Sequence, residues 1–386
     1  LPKVSWLVPP ATFSEHPSAS TPAGSADLIY RLLDVVASDL ETWSKTAIFL
    51  TFDENDGYFD HIAPPVAPRP ASGNDQDWYE GKAIGLGARV PMTVISPWTI
   101  GGYIDSEIFD HTSVLRFLEL CTGVREPNIS SWRRTVCGDM TSAFDFGNAG
   151  APPRAHHPGP IPAPVGRWKP NPPDQQSIPR QEPGTRPTRP LPYQPAAGAT
   201  LTGSTLSLRL RNSGTSSAHF TVYPFHSPDS APRHIDVRDC ATVEFEVGDG
   251  YDLVVQGPNR FWHELRAAMS GPASGVEVDT EPSDSGLTLV LANRGARTIT
   301  VAIAPLDFDG AAQQVDMPAN SSRTLPWPVR GGWYDLEITA PADPAFRQRA
   351  TGRVENGRPG ITPDHGRTRD RGAAAVAASA RLLTGS

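Results

Sequence analysis

The spacing of apolar residues predicts two amphipathic helices in the first 125 residues. In segment 24–43 the apolar positions are Leu28, Ile29, Leu32, Leu33, Val36 and Leu40. Steps of three and four residues place them on one helix face, with Ser25 as the expected N-cap. The segment HTSVLRFLELCTG predicts a second helix that ends at Gly123, with Asp110 or Thr112 as its cap.

Continuous apolar runs predict three strands in the same region. They are KVSWLV (3–8), TAIFLTFDE (46–54) and RVPMTVISPW (89–98). The last two runs show no alternation of polar and apolar residues, which is typical of parallel strands buried on both faces. The order of strands and helices predicts that residues 1–149 form an α/β domain, part of an open, mostly parallel sheet.

A repeated strand pattern fills most of the second half. LSLRLRNSGTSSAHFTVYP, from residue 206, aligns with LTLVLANRGARTITVAIAP, from residue 287. Later, GDGYDLVVQGPNRFWHELRA matches RGGWYDLEITAPADPAFRQRA. Alternating strands with Gly and Asn turns predict two small all-β, sandwich-like domains, at residues 196–275 and 276–361.

Composition sets the remaining boundaries. The chain has 41 prolines and 34 glycines among 386 residues, and residues 150–195 are especially rich in proline, which predicts an extended linker. The charged, then Ala-rich segment 362–386 predicts a loose tail with at most one peripheral helix. The net charge of −8 argues against a nucleic-acid partner, and no apolar run is long enough to span a bilayer.

Three cysteines leave two interpretations open. Cys121 and Cys137 pair and Cys240 stays free, or all three are buried thiols. The first residues carry no initiator Met and no signal-peptide pattern, and KVSWLV reads as an interior strand. We therefore expect the chain to be the C-terminal portion of a longer protein.

Acidic and histidine side chains are most concentrated in TFDENDGYFDHIAPP, residues 51–65. It contains Asp53, Glu54, Asp56, Asp60 and His61. Ligands bind at the carboxyl ends of strands in open α/β sheets, and two adjacent carboxylates there repel unless a divalent cation lies between them. A solvated acidic turn is the alternative. Part of the motif also resembles half of a calcium loop, but it follows a strand and lacks the final Glu.

Two further histidines lie in loops or at helix ends. His16 occurs in TFSEHPSAS before the first helix, and His111 opens the second helix, where a helix N-terminus favours an anion such as phosphate. Each of them taken alone has an ordinary alternative as a loop or capping residue.

Together these segments resemble a known family. FSEHPSAS, TFDENDGYFDHIAPP, FDHTSVLRFLE and NISSWRRTVCGDMTSAFDF resemble the second half of the bacterial phosphocholine-type phospholipases C. These enzymes share a catalytic domain with certain acid phosphatases and belong to the alkaline-phosphatase-like superfamily. The resemblance covers residues 1 to about 360, including the tandem β repeats, so the α/β domain is expected to be a partial alkaline-phosphatase-like one.

The resemblance implies a mechanism and a set of site residues. A hydroxyl nucleophile on one divalent metal ion, of open identity, attacks the phosphodiester and forms a covalent phospho-enzyme. Asp53 and Glu54 match metal ligands of the family. His16 matches a histidine that contacts the phosphate or the leaving oxygen, and His61 and His111 match supporting positions.

The resemblance also implies partners and a location. The nucleophile and a Glu-Asn motif would come from a complementary N-terminal chain, without which this chain is inactive. The substrate would be phosphatidylcholine or sphingomyelin, met in transient contact with a membrane surface, and the protein would be secreted or periplasmic. Two other functions remain: an acid phosphatase or other phosphoesterase with soluble substrates, and a non-enzymatic β module for binding or adhesion.

Overall fold

The chain divides into two compact units in the computed structural model. The model describes residues 2–58, 60–70, 75–152, 154–163, 174–175, 183–227 and 230–363. The first unit comprises Leu1–Asp53, Val90–Gly102 and Ala143–Gln181, and the second comprises Glu54–Arg89, Tyr103–Ser142 and Glu182–Ser386. Most of the predicted tail (362–386) and much of the predicted linker (150–195) lie outside the described residues.

The first unit combines helices with a small sheet. Its elements are α1 (Pro22–Ser38), α2 (Leu40–Trp43), β1 (Ile48–Thr51), β4 (Met92–Ile95) and the 3₁₀ turns Ala11–Phe13 and Pro97–Thr99. Trp43 is buried and its Nε1 donates to Gly150 O over 3.0 Å. Phe144 packs against Phe49 and stacks on Phe146, with ring centroids 6.1 and 5.0 Å apart.

The fold class is confirmed, because a helix-and-strand segment precedes an all-β sandwich, but the sheet of this segment differs from the prediction. β1 and β4 pair antiparallel, not parallel, with Ile48 opposite Ile95. Each of the two strands has a single partner among the described residues, so Ile48, Phe49 and Leu50 are only half-buried and Thr51 is exposed.

Two further details of the first unit differ from the sequence prediction. KVSWLV forms no strand, since no described strand lies beside it to complete its backbone hydrogen bonds, and Trp6 and Leu7 are exposed. Thr21 instead of Ser25 occupies the N-cap position of α1, without a capping hydrogen bond from its side chain, because Pro22 suits the first helical position and starts the helix earlier.

The second unit contains short elements from the first 150 residues. They are β2 (Trp78–Tyr79), β3 (Lys82–Ala83), α3 (His111–Thr122), α4 (Ser131–Val136) and the 3₁₀ turn Thr141–Ala143. Helix α3 confirms the predicted bounds. Asp110 Oδ1 accepts hydrogen bonds from the backbone N–H groups of Thr112 and Ser113, and Gly123 adopts φ 73°, which glycine tolerates without strain.

The rest of this unit is a β sandwich whose strands are all antiparallel. The strands of the first repeat are β6 (Pro195–Thr202), β7 (Thr205–Asn212), β8 (Ala218–Pro224), β9 (Arg233–Val237), β10 (Cys240–Glu246), β11 (Gly250–Gln256) and β12 (Trp262–Ala268). Those of the second are β13 (Val276–Ser283), β14 (Gly286–Asn293), β15 (Ile299–Asp307), β16 (Gln313–Met317), β17 (Ser321–Trp327), β18 (Trp333–Ala340) and β19 (Asp343–Arg353). Outside the sandwich, β20 (Gly360–Ile361) pairs with β5 (Pro187–Thr188).

The two repeats share both sheets instead of forming separate sandwiches. In the described residues one sheet has the order β10-β7-β6-β13-β14-β17, and the other has the order β16-β15-β18-β19-β12-β11-β8-β9. Each order reads as one repeat followed by its counterpart in reverse, so a pseudo-twofold axis relates the repeats. A common core includes Leu208, Phe220, Leu289 and Val301, all fully buried.

A glycine allows the two repeats to approach each other, and an asparagine in each repeat holds a loop. A Cβ on Gly198 would lie 2.6 Å from the Asp279 carboxyl carbon, so glycine allows β6 to approach β13. Asn212 and Asn293 hold equivalent loops. Their Nδ2 atoms donate to Ser216 O over 2.7 Å and to Arg297 O over 2.8 Å.

The structure also shows the state of the three cysteines and the burial of one end of the predicted linker. Cys121, Cys137 and Cys240 are all free thiols, so the interpretation in which Cys121 and Cys137 pair is wrong. The interpretation of three buried thiols holds for Cys137 alone, since Cys121, at the end of α3, and Cys240 are exposed. Leu191 and Tyr193, within the proposed linker, are buried in the core of the sandwich. No helix among the described residues is both long and apolar enough to cross a lipid bilayer.

Candidate active site

The acidic loop, residues 53–61, follows β1. Asp53 and Glu54 both have exposed side chains, in contrast to the buried strand end that the apolar run predicted. The physical reason is the two-stranded sheet, which leaves the end of β1 half-covered. Asp56 and Gly57 follow with φ angles of 54° and 72°, so the backbone turns sharply there.

Asp60 anchors the C-terminal end of the acidic loop. Its carboxylate accepts hydrogen bonds from Arg89 Nε (2.8 Å), Arg89 Nη2 (2.7 Å), Arg89 N (2.9 Å) and Ile62 N (3.2 Å). The hydrogen bonds from the Arg89 side chain hold the pKa of Asp60 well below its ordinary value. His61 is largely exposed, with Nδ1 3.6 Å from Asp60 Oδ1. Asp60 is therefore a structural carboxylate, tied to Arg89 and to the backbone of its own loop.

His16 lies in an exposed turn of the first unit. Its Nδ1 lies 2.9 Å from Ser18 Oγ, and the backbone N–H of Ser18 also points to this atom over 3.4 Å. Because that backbone N–H can only donate, Nδ1 is the acceptor and Nε2 carries the ring hydrogen in the neutral form. The turn thus fixes which nitrogen His16 offers to a ligand.

His111 is the first residue of α3 and is exposed. The helix end beneath it is held by Arg133, whose guanidinium contacts two buried carboxylates and a carbonyl. Arg133 Nη1 lies 2.5 Å from Asp110 Oδ2, Nε lies 3.2 Å from Asp77 Oδ1, and Nη2 lies 3.1 Å from Gly85 O. One oxygen of Asp110 caps α3 and the other binds Arg133, so the guanidinium fixes the position of the helix N-terminus.

The five predicted site residues fall in both units. His16 and Asp53 belong to the first, and Glu54, His61 and His111 belong to the second. Carboxylate oxygens are the donors that hard divalent cations prefer, so Asp53 and Glu54 suit such an ion in chemistry. Among the residues that the structure describes, no three His, Cys, Asp or Glu side chains form a group able to hold a metal.

A second carboxylate group was not predicted from the sequence. Ser142 Oγ lies 2.7 Å from Asp105 Oδ2 and 2.5 Å from Glu107 Oε2. Burial raises the pKa of both carboxyls, and that of Glu107 rises to about 7, with Asp105 and Asp139 adding to the shift. A hydroxyl has only one hydrogen to donate, so one of the two carboxyls must be protonated to complete both contacts. The i, i+2 spacing of Asp105 and Glu107 in an extended segment was the available signal.

Comparison with known proteins finds matches for both the N-terminal part and the β repeats of the chain. Residues 1–125 match the phosphoesterase family, and residues 187–266 and 273–353 each match the C-terminal domain of bacterial phospholipase C. The non-hemolytic phospholipase C of Pseudomonas aeruginosa is 37% identical over 401 residues, which cover 94% of this chain. The chain thus carries a segment that matches the phosphoesterase family and two domains that match the C-terminal domain of bacterial phospholipase C.

Other phospholipases C match over a similar extent. The non-hemolytic enzyme of Burkholderia pseudomallei and the hemolytic enzyme of P. aeruginosa are each 35% identical over 93% of this chain. The chain spans 58%, 56% and 57% of the three relatives, in the order given. All five predicted site residues lie within the phosphoesterase match, and the two predicted β repeats, 196–275 and 276–361, overlap the segments that match the phospholipase C C-terminal domain.

Proposed function

We propose that this chain forms part of a phospholipase C that hydrolyses choline phospholipids, with phosphatidylcholine or sphingomyelin as substrate. The observation that carries the proposal is the alignment with three phospholipases C over 93–94% of the chain, which includes the phosphoesterase segment and both repeats. In the reaction, water cleaves the P–O bond to the lipid alcohol. The products are diacylglycerol, or ceramide, and phosphocholine.

The proposed site uses the residues of the acidic loop and the three histidines. Asp53 and Glu54 would hold one divalent cation, which neutralises phosphate charge and lowers the pKa of a bound hydroxyl. His16 offers Nε2–H, because Ser18 occupies Nδ1, and this N–H can donate to the leaving oxygen. His111 is the first residue of a 12-residue helix, and the partial positive charge at the N-terminus of this helix favours phosphate. His61, at the end of the acidic loop, has a solvent-exposed side chain.

We also propose that the hydroxyl nucleophile belongs to a complementary N-terminal polypeptide. The support is that the chain spans 56–58% of the three relatives. Intact-mass measurement of the native protein under denaturing conditions tests this: a second polypeptide with a Glu-Asn motif and a reactive Ser or Thr is expected. A single 41.5 kDa species with full phospholipase activity would contradict it.

Substrate comparison separates the proposed activity from the two alternatives. The protein, with its complementary segment, is assayed on phosphatidylcholine vesicles and on p-nitrophenyl phosphate. Release of phosphocholine from the vesicles supports a phospholipase C. Turnover of the monoester alone would indicate a phosphatase, and no turnover of either, with binding to vesicles retained, would indicate a non-enzymatic module.

The same proposal includes contact with a membrane surface and export from the cell. A lipid substrate requires transient contact with a membrane surface, which vesicle sedimentation with and without the repeats would detect. The family resemblance further leads us to propose export to the periplasm or medium. Fractionation of the producing cells tests the location, and retention in the cytoplasm would contradict it.

A further inference from the structure

The two faces of strand β8 are both buried, which is unusual for a strand in a two-layer sandwich. Its inward-facing side chains, such as Phe220 and Val222, lie in the common core and are fully buried. Its outward-facing side chains, His219, Thr221 and Tyr223, are also buried, at 4%, 3% and 9% exposure. A strand of an isolated sandwich would expose this outer face to solvent. Something in the second unit therefore covers it.

The covering segment is residues 63–66, directly after the acidic loop. Gln256 Nε2, on the neighbouring strand β11, donates to Ala63 O over 3.0 Å. His219 Nε2 accepts a hydrogen bond from Val66 N over 3.4 Å. The ring of Trp132 adds an edge contact to His219, with centroids 6.3 Å apart. We call the Gln256–Ala63 and His219–Val66 pairs the clamp.

Each member of the clamp is oriented by a second hydrogen bond. Tyr223 Oη donates to Gln256 Oε1 over 3.2 Å, which turns the amide nitrogen toward Ala63. Burial raises the pKa of Tyr223, so this hydroxyl keeps its hydrogen at neutral pH. Because Val66 N–H must donate, His219 Nε2 carries no hydrogen and Nδ1–H donates to Asp236 Oδ1 over 2.7 Å.

The second repeat provides an internal comparison. The alignment of the repeats and the strand registers place Thr300, Ala304 and Thr339 where the first repeat has His219, Tyr223 and Gln256. Thr300 Oγ1 donates to Asp316 over 2.6 Å, as His219 does to Asp236, but the outer face of β15 is only half-buried. The two copies therefore share the sandwich and differ in the residues that reach residues 63–66.

The clamped segment, residues 63–66, is stiff, so fixing it also limits the movement of the residues just before it. Between Ala63 and Val66 lie two consecutive prolines, Pro64 and Pro65, whose fixed φ angles make this segment stiff. Three residues before Ala63, Asp60 is held by Arg89. Residues 60–66 are thus fixed at three points, and His61 lies within them.

We propose that the first phospholipase C C-terminal repeat holds the C-terminal half of the acidic loop in place, with Gln256 and His219 as positioning residues. The repeat is then a structural part of the site and not only a module attached to it. A role of the clamp in catalysis depends on the function proposed above. The contacts that form the clamp do not depend on it.

Hydrogen–deuterium exchange of the 386-residue chain tests the clamp without any turnover. His219→Ala and Gln256→Ala are each expected to speed exchange in peptides covering residues 54–66 by about tenfold, the factor that one lost hydrogen bond of about 1.4 kcal/mol gives. His219→Gln keeps an acceptor near the position of Nε2 and is expected to restore slow exchange. The matched controls in the second repeat, Thr300→Ala and Thr339→Ala, should leave these peptides unchanged.

A second variant guards against a general loss of folding. Gln256→Glu keeps the size of the side chain, removes the donor and places an acceptor opposite Ala63 O, so it should also speed exchange in peptides 54–66. Equal exchange in wild type, His219→Ala and Gln256→Glu would overturn the proposal. So would a uniform increase across the sandwich strands, including β14, because the clamp predicts a local effect. Failure of the proposed enzymatic function would leave these exchange results unchanged.

Discussion

Asp60 and Arg89 form a bidentate ion pair across 29 residues, with Arg89 Nε 2.8 Å from Oδ2 and Nη2 2.7 Å from Oδ1. The Asp60 side chain is only 12% exposed, while that of Arg89 is 58% exposed. A planar guanidinium facing a carboxylate makes two parallel hydrogen bonds, which fixes orientation as well as distance. The pair therefore closes the acidic loop onto the start of the segment that leads to β4.

Replacing this carboxylate should cost stability in a pH-dependent way. Asp60→Asn is expected to lower the free energy of unfolding by about 1 to 3 kcal/mol at pH 7, measured by urea denaturation. The hydrogen bonds from Arg89 lower the pKa of Asp60 below its ordinary 3.8, so its stabilisation is complete above that pH and is lost as the pH falls through the lower folded-state pKa. The deficit of the variant should shrink in that acidic range. Asp309→Asn, at an exposed position, is the control, and equal stability of Asp60→Asn and wild type at pH 7 would contradict the role.

Arg133 should not be replaceable by lysine. Its guanidinium reaches Asp77, Asp110 and Gly85 O at once, and the two carboxylate side chains are 3% and 5% exposed. An ammonium cannot span three such acceptors. Arg133→Lys is expected to lower the free energy of unfolding by about 2 to 4 kcal/mol, since it leaves a buried carboxylate unpaired.

The control for this change is Arg125→Lys, at an exposed position before α4. Urea denaturation of both variants at pH 7 measures the difference. Faster amide exchange at Thr112 and Ser113 in Arg133→Lys would show directly that the capped end of α3 has loosened. If the two lysine variants were equally stable, Arg133 would not fix the N-terminus that carries His111.

Glu107 should make stability fall as the pH rises toward neutrality. Burial raises its pKa from 4.5 to about 7, so between these values the folded protein holds a proton that the unfolded chain releases. Stability therefore declines across that range, by on the order of 2 to 3 kcal/mol. Glu107→Gln keeps a hydrogen-bonding amide but cannot ionise, and it should flatten the decline.

Urea denaturation at pH 5 and pH 8 measures this slope for wild type and variant. Glu244→Gln, on the exposed face of β10, should retain the wild-type slope. A Glu107→Gln protein with an unchanged slope would mean that another group holds the proton shared through Ser142.

Local patterns explain which features the sequence could predict. Helix α3 was predicted with its cap and its end because Asp110 and Gly123 act within one turn of their own helix. The β repeats were predicted because two stretches of the chain carry the same pattern of short strands separated by Gly and Asn turns. The joining of both repeats into shared sheets depends on Gly198 meeting Asp279, 81 residues away, and no local pattern records that contact.

The same limit applies to the site. The run of acids from Asp53 to Asp60 was visible, but the partner of Asp60 is Arg89, and Glu107 meets Ser142 only in the folded chain. The buried strand end was predicted wrongly because an apolar run does not show how many strands will lie beside it. A signal for the clamp was present: in AHFTVYP, both alternating faces of β8 carry bulky or ring-bearing side chains.

Asp53 and Glu54 should bind a divalent cation, and this can be measured apart from turnover. Thermal unfolding is followed with increasing Mg²⁺, Ca²⁺, Mn²⁺ or Zn²⁺ in the assembled protein, where a ligand at 100 times its Kd stabilises by about 2.7 kcal/mol. Asp53→Asn and Glu54→Gln are each expected to remove this shift and abolish phospholipid hydrolysis while unfolding stays cooperative. Asp56→Asn is the matched control, because Asn tolerates the φ of 54° at that position in the same loop. Should either neutral variant keep both the cation-dependent shift and full turnover, the two carboxylates would be surface charges of a solvated turn, and the metal would have to bind elsewhere.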